Sequence, residues 1–175
     1  MVATYKCQQD GSWRIANYST QNIQECNRAE CEKNSGFTFL EKINGCYRFL
    51  NESKSHAEAS RHCSSTFTHG KLFLADSSEK IQAVMADILL PAAVGFPLFV
   101  WIDGVSTTST ETLVTSRGPF CVQKLKDLKE YASVTWKPNN GCLALLQLRP
   151  EVNILPDCSQ KLGFLCEIES FVITV

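Results

Sequence analysis

The sequence predicts an α+β fold with two helices, antiparallel sheets and a long loop region, stapled by disulfides. Two segments of helical composition lie in the first half, strand-like segments lie towards both ends, and an irregular stretch from Gly104 to Thr135 separates them. The chain has nine cysteines in 175 residues. Because reducing compartments disfavour disulfides, this density indicates folding in an oxidising compartment.

The first 30 residues are polar, short of aliphatic side chains and too few to build a core. The segment from Tyr5 to Trp13 predicts a strand, a turn at Asp10-Gly11 and a second strand. We therefore divide the chain into an N-terminal extension (residues 1–30), a main domain (31–169) and a C-terminal tail (170–175).

The main domain begins with a predicted hairpin followed by a predicted helix. Aromatic and polar residues alternate from Gly36 to Leu50 around Asn44-Gly45, which is typical of a β-hairpin. The segment from Ser53 to Cys63 has helical composition, with Ser53 or Ser55 as its N-cap.

A second helix is predicted after a short apolar strand, Leu72 to Leu74. Asp76 to Glu79 would begin this helix, with Ser77 or Ser78 as the cap. Apolar residues then recur at helical spacing and predict a core-facing stripe, which comprises Ile81, Val84, Met85, Ile88 and Leu89. Pro91 is expected to end the helix.

The remaining strands are predicted from short apolar segments. They are Leu98 to Ile102, Val134 to Trp136, Cys142 to Leu148 and Leu162 to Ile168. Between the first two, a Ser/Thr run, Gly118-Pro119 and a lysine-rich segment are typical of a loop.

Composition and motif content disfavour several function classes. A net charge of −1 without a basic run argues against a nucleic-acid partner. The longest apolar stretch, Ile88 to Ile102, is shorter than a membrane span and is broken by proline and glycine. The sequence has no G-x-S-x-G word and no histidine close to Cys121, so we expect no enzyme, no catalytic residue and no cofactor. The spacing of its histidines and cysteines predicts no metal site.

Two further features concern localisation. The tripeptides Asn17-Tyr18-Ser19 and Asn51-Glu52-Ser53 are N-glycosylation acceptor sequences, which are compatible with secretion. Met1 is followed by no apolar h-region, so a secretory signal has been removed or replaced, or the chain is a fragment. We predict a secreted protein or the extracellular part of a larger surface protein.

Five short sequence motifs follow one another along the main domain: GCYRF from Gly45, the A-x-x-x-C of Ala59 to Cys63, WIDG from Trp101, WKPNNGC from Trp136, and FLCE from Phe164. Together they make the segment from Cys31 to about Glu169 resemble a C-type lectin-like domain of the long form. WIDG stands where that family has its WIGL core strand. In the extension, a Cys, a Gly and a Trp weakly resemble the end of a sushi or hormone-receptor-type module, and a stapled extension is the simpler interpretation.

The resemblance implies three disulfides, namely Cys63–Cys166, Cys142–Cys158 and Cys31–Cys46. The spacing of the last pair is a few residues wider than the family usually has, which makes Cys26 a possible competitor. Otherwise Cys7 and Cys26 are the local pair, and Cys121 is left free or bound to another chain. We expect Cys121 to pair, either with another chain or with a cysteine of the extension, and the alternative is a buried, reduced cysteine.

Sugar-binding members of the family hold Ca²⁺ with two oxygen-rich triplets, and this chain departs from both. The first triplet aligns as Lys137-Pro138-Asn139, where an ammonium group has no lone pair and repels a cation. The second aligns as Asn153-Ile154-Leu155, with hydrocarbon in place of two ligand oxygens. Asp157 and Glu151 remain nearby as ordinary loop acids, so we expect no bound metal. His56 replaces a Trp that is common in the family, and we expect a half-buried, hydrogen-bonded residue rather than a pH-sensitive one.

We expect an extracellular, calcium-independent recognition module that binds a protein ligand or a neighbouring subunit. The long loop would present the binding surface, and its candidate residues are Lys124, Lys126, Lys129, Tyr131, Lys137 and Asn139. The lysine-rich segment also fits a solvated helix face whose apolar side packs inward. Two other functions stay open: carbohydrate binding through a non-standard site, and structural assembly in which Cys121 or the N-terminal cysteines link chains into a disulfide-bonded oligomer.

Overall fold

The computed structural model describes residues 5–7, 13–15, 20–93, 98–107, 112–136 and 141–169, with side chains from residue 24 onward except at Cys26. Strands β1 (Tyr5–Cys7) and β2 (Trp13–Ile15) pair antiparallel, as the sequence predicts. The turn predicted between them lies outside the described residues. No helix of the described residues is both long and apolar enough to span a membrane.

Helix α1 (Thr20–Glu32) was not predicted. It crosses residue 30, and the division of the chain at that residue stays a prediction. The buried residues of this region, Asn27, Glu30, Cys31 and Asn34, follow the i, i+3, i+4, i+7 spacing of one helical face. Because three of the four are polar, the pattern of aliphatic residues gave no sign of this helix.

The described strands of the main domain form one nine-stranded sheet. Its strands are β3 (Thr38–Leu40), β4 (Gly45–Lys54), β5 (Gly70–Leu72), β6 (Phe99–Ser106), β7 (Thr112–Thr115), β8 (Gly118–Cys121), β9 (Gly141–Leu146), β10 (Val152–Leu155) and β11 (Leu162–Ile168). The order is β10-β9-β6-β11-β4-β3, while β5 pairs with β11, and β7 and β8 extend β6. The other described strand pairs are antiparallel, as the sequence predicts, and one pair, β6 with β11, is parallel. Parallel neighbours need a long crossover, and β7 to β10 lie in this one.

The predicted loop from Gly104 to Thr135 is largely regular. It contains the end of β6, the β7–β8 hairpin, helix α5 (Gln123–Lys126) and a 3₁₀ turn, Lys129–Tyr131. Val134 to Trp136 was predicted as a strand, and this prediction was wrong. Val134 and Trp136 instead pack on the core from an irregular segment. Strand β10 was not predicted.

The hairpin β3–β4 forms as predicted, with Leu40 opposite Gly45. Helix α2 (His56–Thr66) begins after Ser55, whose hydroxyl accepts from Glu58 N–H while the Glu58 side chain accepts from Ser55 N–H. This reciprocal capping box fixes the start of α2. Ser55 is therefore the cap, and Ser53 is not.

Helix α3 (Ser78–Val84) is capped by Ser77 and continues through a π-helical turn, Met85–Leu89, into α4 (Leu90–Ala92). Four residues of the predicted apolar stripe are buried and Ile88 is half-buried, so the stripe faces the core as expected. Pro91 does not itself end the helix, because it lies in the first turn of α4, where its missing N–H is tolerated.

Three disulfides staple the main domain: Cys31–Cys46, Cys63–Cys166 and Cys142–Cys158, with Cα–Cα distances of 5.5, 5.6 and 5.4 Å. They are the three pairs that the resemblance implies. Cys63 and Cys166 are fully buried and tie α2 to β11. The side chains of Cys7 and Cys26 are outside the described part of the chain, so that pair stays a prediction.

Candidate recognition surface

Three exposed lysines, Lys124, Lys126 and Lys129, follow the β7–β8 hairpin, and we call them the lysine face. The alternation of the sequence places them outward, because Val122 and Leu125 are 1% and 0% exposed and pack into the core. No ion pair within the described residues neutralises any of the three. The lysine face therefore presents three positive charges, unpaired among the described residues, on a segment with a packed inner side.

Tyr131 is not part of this surface. The residue is 2% exposed, and its hydroxyl donates a hydrogen bond to the Ala75 carbonyl oxygen at 2.7 Å. Burial raises the pKa of Tyr131, and the nearby Asp76 and Glu130 add to that shift. The prediction of Tyr131 as a ligand contact was wrong, and the alternative of an inward-packed apolar side was right for this residue.

Glu130 fixes the segment of the lysine face to α3. Its carboxylate is 1% exposed and accepts from the Ser78 hydroxyl at 2.6 Å and from the Gln82 amide at 3.1 Å. Burial alone would raise the pKa of Glu130, but these hydrogen bonds hold the pKa below its ordinary value. A charged, fully bonded carboxylate thus anchors the backbone beside Lys129.

The β7–β8 hairpin is held against the core by the carboxylate of Asp103, which is 2% exposed. This carboxylate accepts from Ser116 N–H at 2.9 Å, from the Ser116 hydroxyl at 2.6 Å and from Arg117 Nη1 at 2.6 Å. Strand β6 bulges here, and Gly104 adopts φ 138°. A Cβ at Gly104 would lie 2.6 Å from Leu143 Cδ1, so the bulge requires glycine.

Arg117 extends this contact from the hairpin turn to β11. Its Nη2 contacts Glu167 Oε1, and its Nε lies 3.4 Å from Glu169 Oε1. The other oxygen, Glu167 Oε2, has Lys80 Nζ at 2.8 Å, and Lys80 Nζ also lies 3.4 Å from Asp76 Oδ1. We call Asp103, Arg117 and Glu167 the ionic clamp. Its acids are neutralised by the chain's own cationic side chains.

The clamp was missed in the sequence. Asp103 entered the sequence prediction only as part of the WIDG motif, and its partner Arg117 lies 14 positions further along the chain. A usable signal was present, because a carboxylate inside an otherwise apolar, buried strand needs a charged partner. Nothing in the sequence pattern identifies which arginine or lysine provides it.

The second calcium-ligand triplet falls on β10, where hydrocarbon packs inward. Ile154 packs against one core cluster and Leu155 against the other. Ile154 Cγ2 would lie 2.4 Å from a Cβ at Gly141, which places the side chain against the β9 backbone. Neither side chain carries an oxygen, and Ca²⁺ takes about six to eight oxygen ligands. The residues at this position do not fit the ion.

The two remaining acids of this region serve local structure. Asp157 accepts from Ser159 N–H at 2.9 Å and from the Ser159 hydroxyl at 2.5 Å, and these bonds lower the pKa of Asp157. Glu151 accepts from the Ser133 hydroxyl at 3.1 Å. Among the described residues, no group of three or more His, Cys, Asp or Glu side chains is arranged to hold a metal ion.

His56 is a buried hydrogen-bonded residue, as the sequence analysis favoured. It is 6% exposed, its Nε2 donates to the Ile102 carbonyl oxygen at 2.8 Å, and its ring meets Trp101 edge-on. Burial lowers the pKa of His56 by more than the Ile102 hydrogen bond and Asp103 raise it. The imidazole is therefore neutral near pH 7.

The other predicted site residues lie apart from the lysine face or outside the description. Lys137, Asn139 and Asn17 are outside the described residues. Cys121 is a free, exposed cysteine at the end of β8. Asn51 is exposed on β4.

This strand order, the two principal helices α2 and α3 and the three disulfides define a C-type lectin-like fold. Similar solved structures include human lithostathine, with a TM-score of 0.59 and 18% identity over 78% of this chain and 90% of that chain. The mouse scavenger receptor C-type lectin carbohydrate-recognition domain has a TM-score of 0.57 and 19% identity over 80% and 98%. A calcium-independent type II antifreeze protein has a TM-score of 0.59 and 16% identity over 79% and 95%. No family model and no curated protein matches the sequence.

Proposed function

We propose that this chain is an extracellular recognition module that binds an acidic protein surface through its lysine face, without calcium. The observation that carries the proposal is the set of three exposed lysines, without an ion pair in the part of the chain that the structure describes, on a segment anchored by Tyr131 and Glu130. Charged groups held on a rigid support steer a complementary partner and fix its register. The three disulfides support an extracellular setting.

Calcium independence is supported by the packing of Ile154 and Leu155, which replaces ligand oxygens with hydrocarbon. The similarity to a calcium-independent antifreeze protein supports the idea that this fold works without the ion. Carbohydrate binding through a non-standard site is supported only by similarity to a carbohydrate-recognition domain, whereas the lysine face is a feature of this chain's own residues. A protein partner is therefore the better proposal.

A matched pair of charge reversals tests the role of the lysine face. Lys126 and Lys42 are both exposed lysines without an ion pair among the described residues, and Lys42 lies on a different turn of the chain. Wild-type, Lys126→Glu and Lys42→Glu proteins would be used to capture extracellular proteins of the source organism in chelator. We expect a captured protein that Lys126→Glu loses, that Lys42→Glu retains and that elutes as salt is raised.

Three results would contradict the proposal. They are equal capture by both variants, capture only when calcium is added, and release by simple sugars at constant ionic strength. The last result would favour the carbohydrate-binding alternative.

Assembly is a second candidate, favoured by Cys121. This thiol is free and exposed on β8, which pairs only with β7 among the described strands. Val114, on the neighbouring strand, is 50% exposed and adds apolar surface there. An exposed thiol in an oxidising compartment seldom stays unpaired.

Electrophoresis without reductant tests assembly. We expect a disulfide-linked dimer in wild-type protein and a monomer in Cys121→Ser, with the three intramolecular disulfides intact in both proteins. Full alkylation of Cys121 in the unreduced, denatured wild-type protein would rule out the dimer.

A further inference from the structure

We infer that Asn51 is a site of N-linked glycosylation. The tripeptide Asn51-Glu52-Ser53 has the acceptor pattern, with no proline in the middle position. The pattern alone occurs by chance in many proteins. What distinguishes this copy is its place in the sheet.

The three residues of the acceptor sequence form a bulge on β4. Leu50 pairs with Phe164 and Lys54 pairs with Leu162, so the three residues between them face a single residue, Gly163, on β11. The bulged residues are left out of the ladder while β4 continues on either side. A Cβ at Gly163 would lie 2.9 Å from Phe49 Cε2 and 3.1 Å from the Leu50 carbonyl oxygen, so glycine lets β11 pass the bulge closely.

The bulge is accessible to an enzyme. All three of its side chains are exposed, whereas Leu50 immediately before it is 6% exposed and faces the core. Neither the Asn51 amide nor the Ser53 hydroxyl has a hydrogen-bond partner within the described residues. On its other side β4 pairs with β3 only from Gly45 to Tyr47, so no described strand covers the backbone at Asn51.

Transfer of a glycan requires that the Asn51 amide and the Ser53 hydroxyl are accessible at the same time. The donor is an oligosaccharide joined to a lipid pyrophosphate, supplied in the secretory pathway. The Asn51 amide nitrogen bonds to the anomeric carbon of the sugar and loses a proton to a base of the transferase. The bond from that carbon to the pyrophosphate oxygen breaks, and the lipid pyrophosphate leaves. The Ser53 hydroxyl is the second recognition element of the acceptor.

The location predicts that a glycan would be tolerated after folding. Its attachment point lies outside the ladder and apart from the core, so the glycan displaces no packed side chain. The glycan would stand beside the uncovered stretch of β4, an edge that proteins otherwise guard with charges and bulges. Glu52 and Lys54, which form an ion pair at 3.0 Å, already place charges there.

Site mapping tests the inference directly. The protein would be expressed with a secretory signal in eukaryotic cells, collected from the medium and treated with peptide-N-glycosidase F in water enriched in heavy oxygen. Trypsin cuts after Arg48 and Lys54, so residues 49–54 form one peptide, separate from the peptide that contains Asn17. We expect heavy-oxygen aspartate at position 51 in most of the recovered peptide.

Three variants sharpen the result. Asn51→Gln and Ser53→Ala should both lose the modification, while Ser53→Thr should keep it because threonine also satisfies the acceptor pattern. Peptide 49–54 recovered unmodified, from secreted protein in which Cys63–Cys166 has formed, would overturn the inference. Modification confined to Asn17 would overturn it as well.

Discussion

Two regions of the sheet, the β4–β11 pair and the β7–β8 hairpin, are attached to the rest of the domain by different means, the first by disulfides and the second by ion pairs. Around β4 and β11, the disulfides Cys31–Cys46 and Cys63–Cys166 tie the sheet to α1 and α2. The β7–β8 hairpin has no disulfide among the described residues, and its turn is fastened by the ionic clamp. A disulfide holds at any pH and salt concentration as long as it is not reduced. A buried ion pair acts only while both partners are present and charged.

The buried acids next to the hairpin and the lysine face all have partners within the chain. Asp103, Glu167 and Glu130 are buried carboxylates, and each is neutralised or hydrogen-bonded by a side chain of this chain. The hairpin and the segment after it are thereby attached to β6, β11 and α3. We therefore expect the disulfides at β4 and β11 to contribute most to the free energy of global unfolding. We expect the ionic clamp to determine the local stability of the β7–β8 hairpin.

Removal of Cys63–Cys166 is expected to have the largest effect. The bond joins residues 103 positions apart, and the chain-entropy model assigns about 4.7 kcal/mol to a loop of about 100 residues. We expect Cys63→Ala/Cys166→Ala to lose roughly this much free energy of unfolding in urea titrations. Cys31→Ala/Cys46→Ala, which opens a separation of 15, should lose about 3 kcal/mol. Equal losses would argue against the loop-length explanation.

Arg117→Ala is expected to cost about 3 to 5 kcal/mol, because it leaves Asp103 and Glu167 buried without their shared partner. Arg149, an exposed arginine with no ion pair among the described residues, provides the control, and Arg149→Ala should change stability by less than about 0.5 kcal/mol. Hydrogen exchange would locate the effect. We expect faster exchange in residues 112–121 of Arg117→Ala and little change in 162–168. Uniform acceleration across the sheet would mean that the clamp is not local to the hairpin.

His56, on α2, should make a smaller, pH-dependent contribution to the free energy of unfolding. Its pKa is lowered in the folded protein, so the unfolded chain binds more protons below its ordinary pKa of about 6.5. Stability should therefore fall as pH drops from about 7.5 to about 5.5, by at most about 1.4 kcal/mol per pH unit for one proton. His56→Gln should flatten this part of the curve of unfolding free energy against pH. The same slope in both proteins would assign the acid sensitivity to other groups.

Much of the fold could be predicted because its signals are local. The motifs and the resemblance they carry implied three disulfides, and the apolar stripe beginning at Ile81 predicted a buried helix face. Helix α1 was missed because its buried face is made of polar residues and a cysteine. Val134 and Trp136 are apolar because they pack on the core from an irregular segment, not because they belong to a strand. A short apolar run does not distinguish these two cases.

The candidate site was harder to predict because its contacts join distant positions. Exposure of the three lysines was expected both for a binding surface and for a solvated helix face, but the burial of Tyr131 depends on Ala75 of another segment. The clamp depends on Asp103, Arg117 and Glu167, which are brought together only by the pairing of β6 with β7 and β11. Residue type alone gives no indication of such partners.

The most direct test of the central claim, that the chain's own charges and hydrocarbon replace a calcium ion, is thermal unfolding with and without Ca²⁺. A ligand that binds the folded state at about 100 times its dissociation constant adds about 2.7 kcal/mol of stability and raises the melting temperature. We expect millimolar CaCl₂ to give the same melting temperature as chelator, with MgCl₂ at equal ionic strength as the control for salt. A rise with CaCl₂ alone, reversed by chelator, would contradict the account.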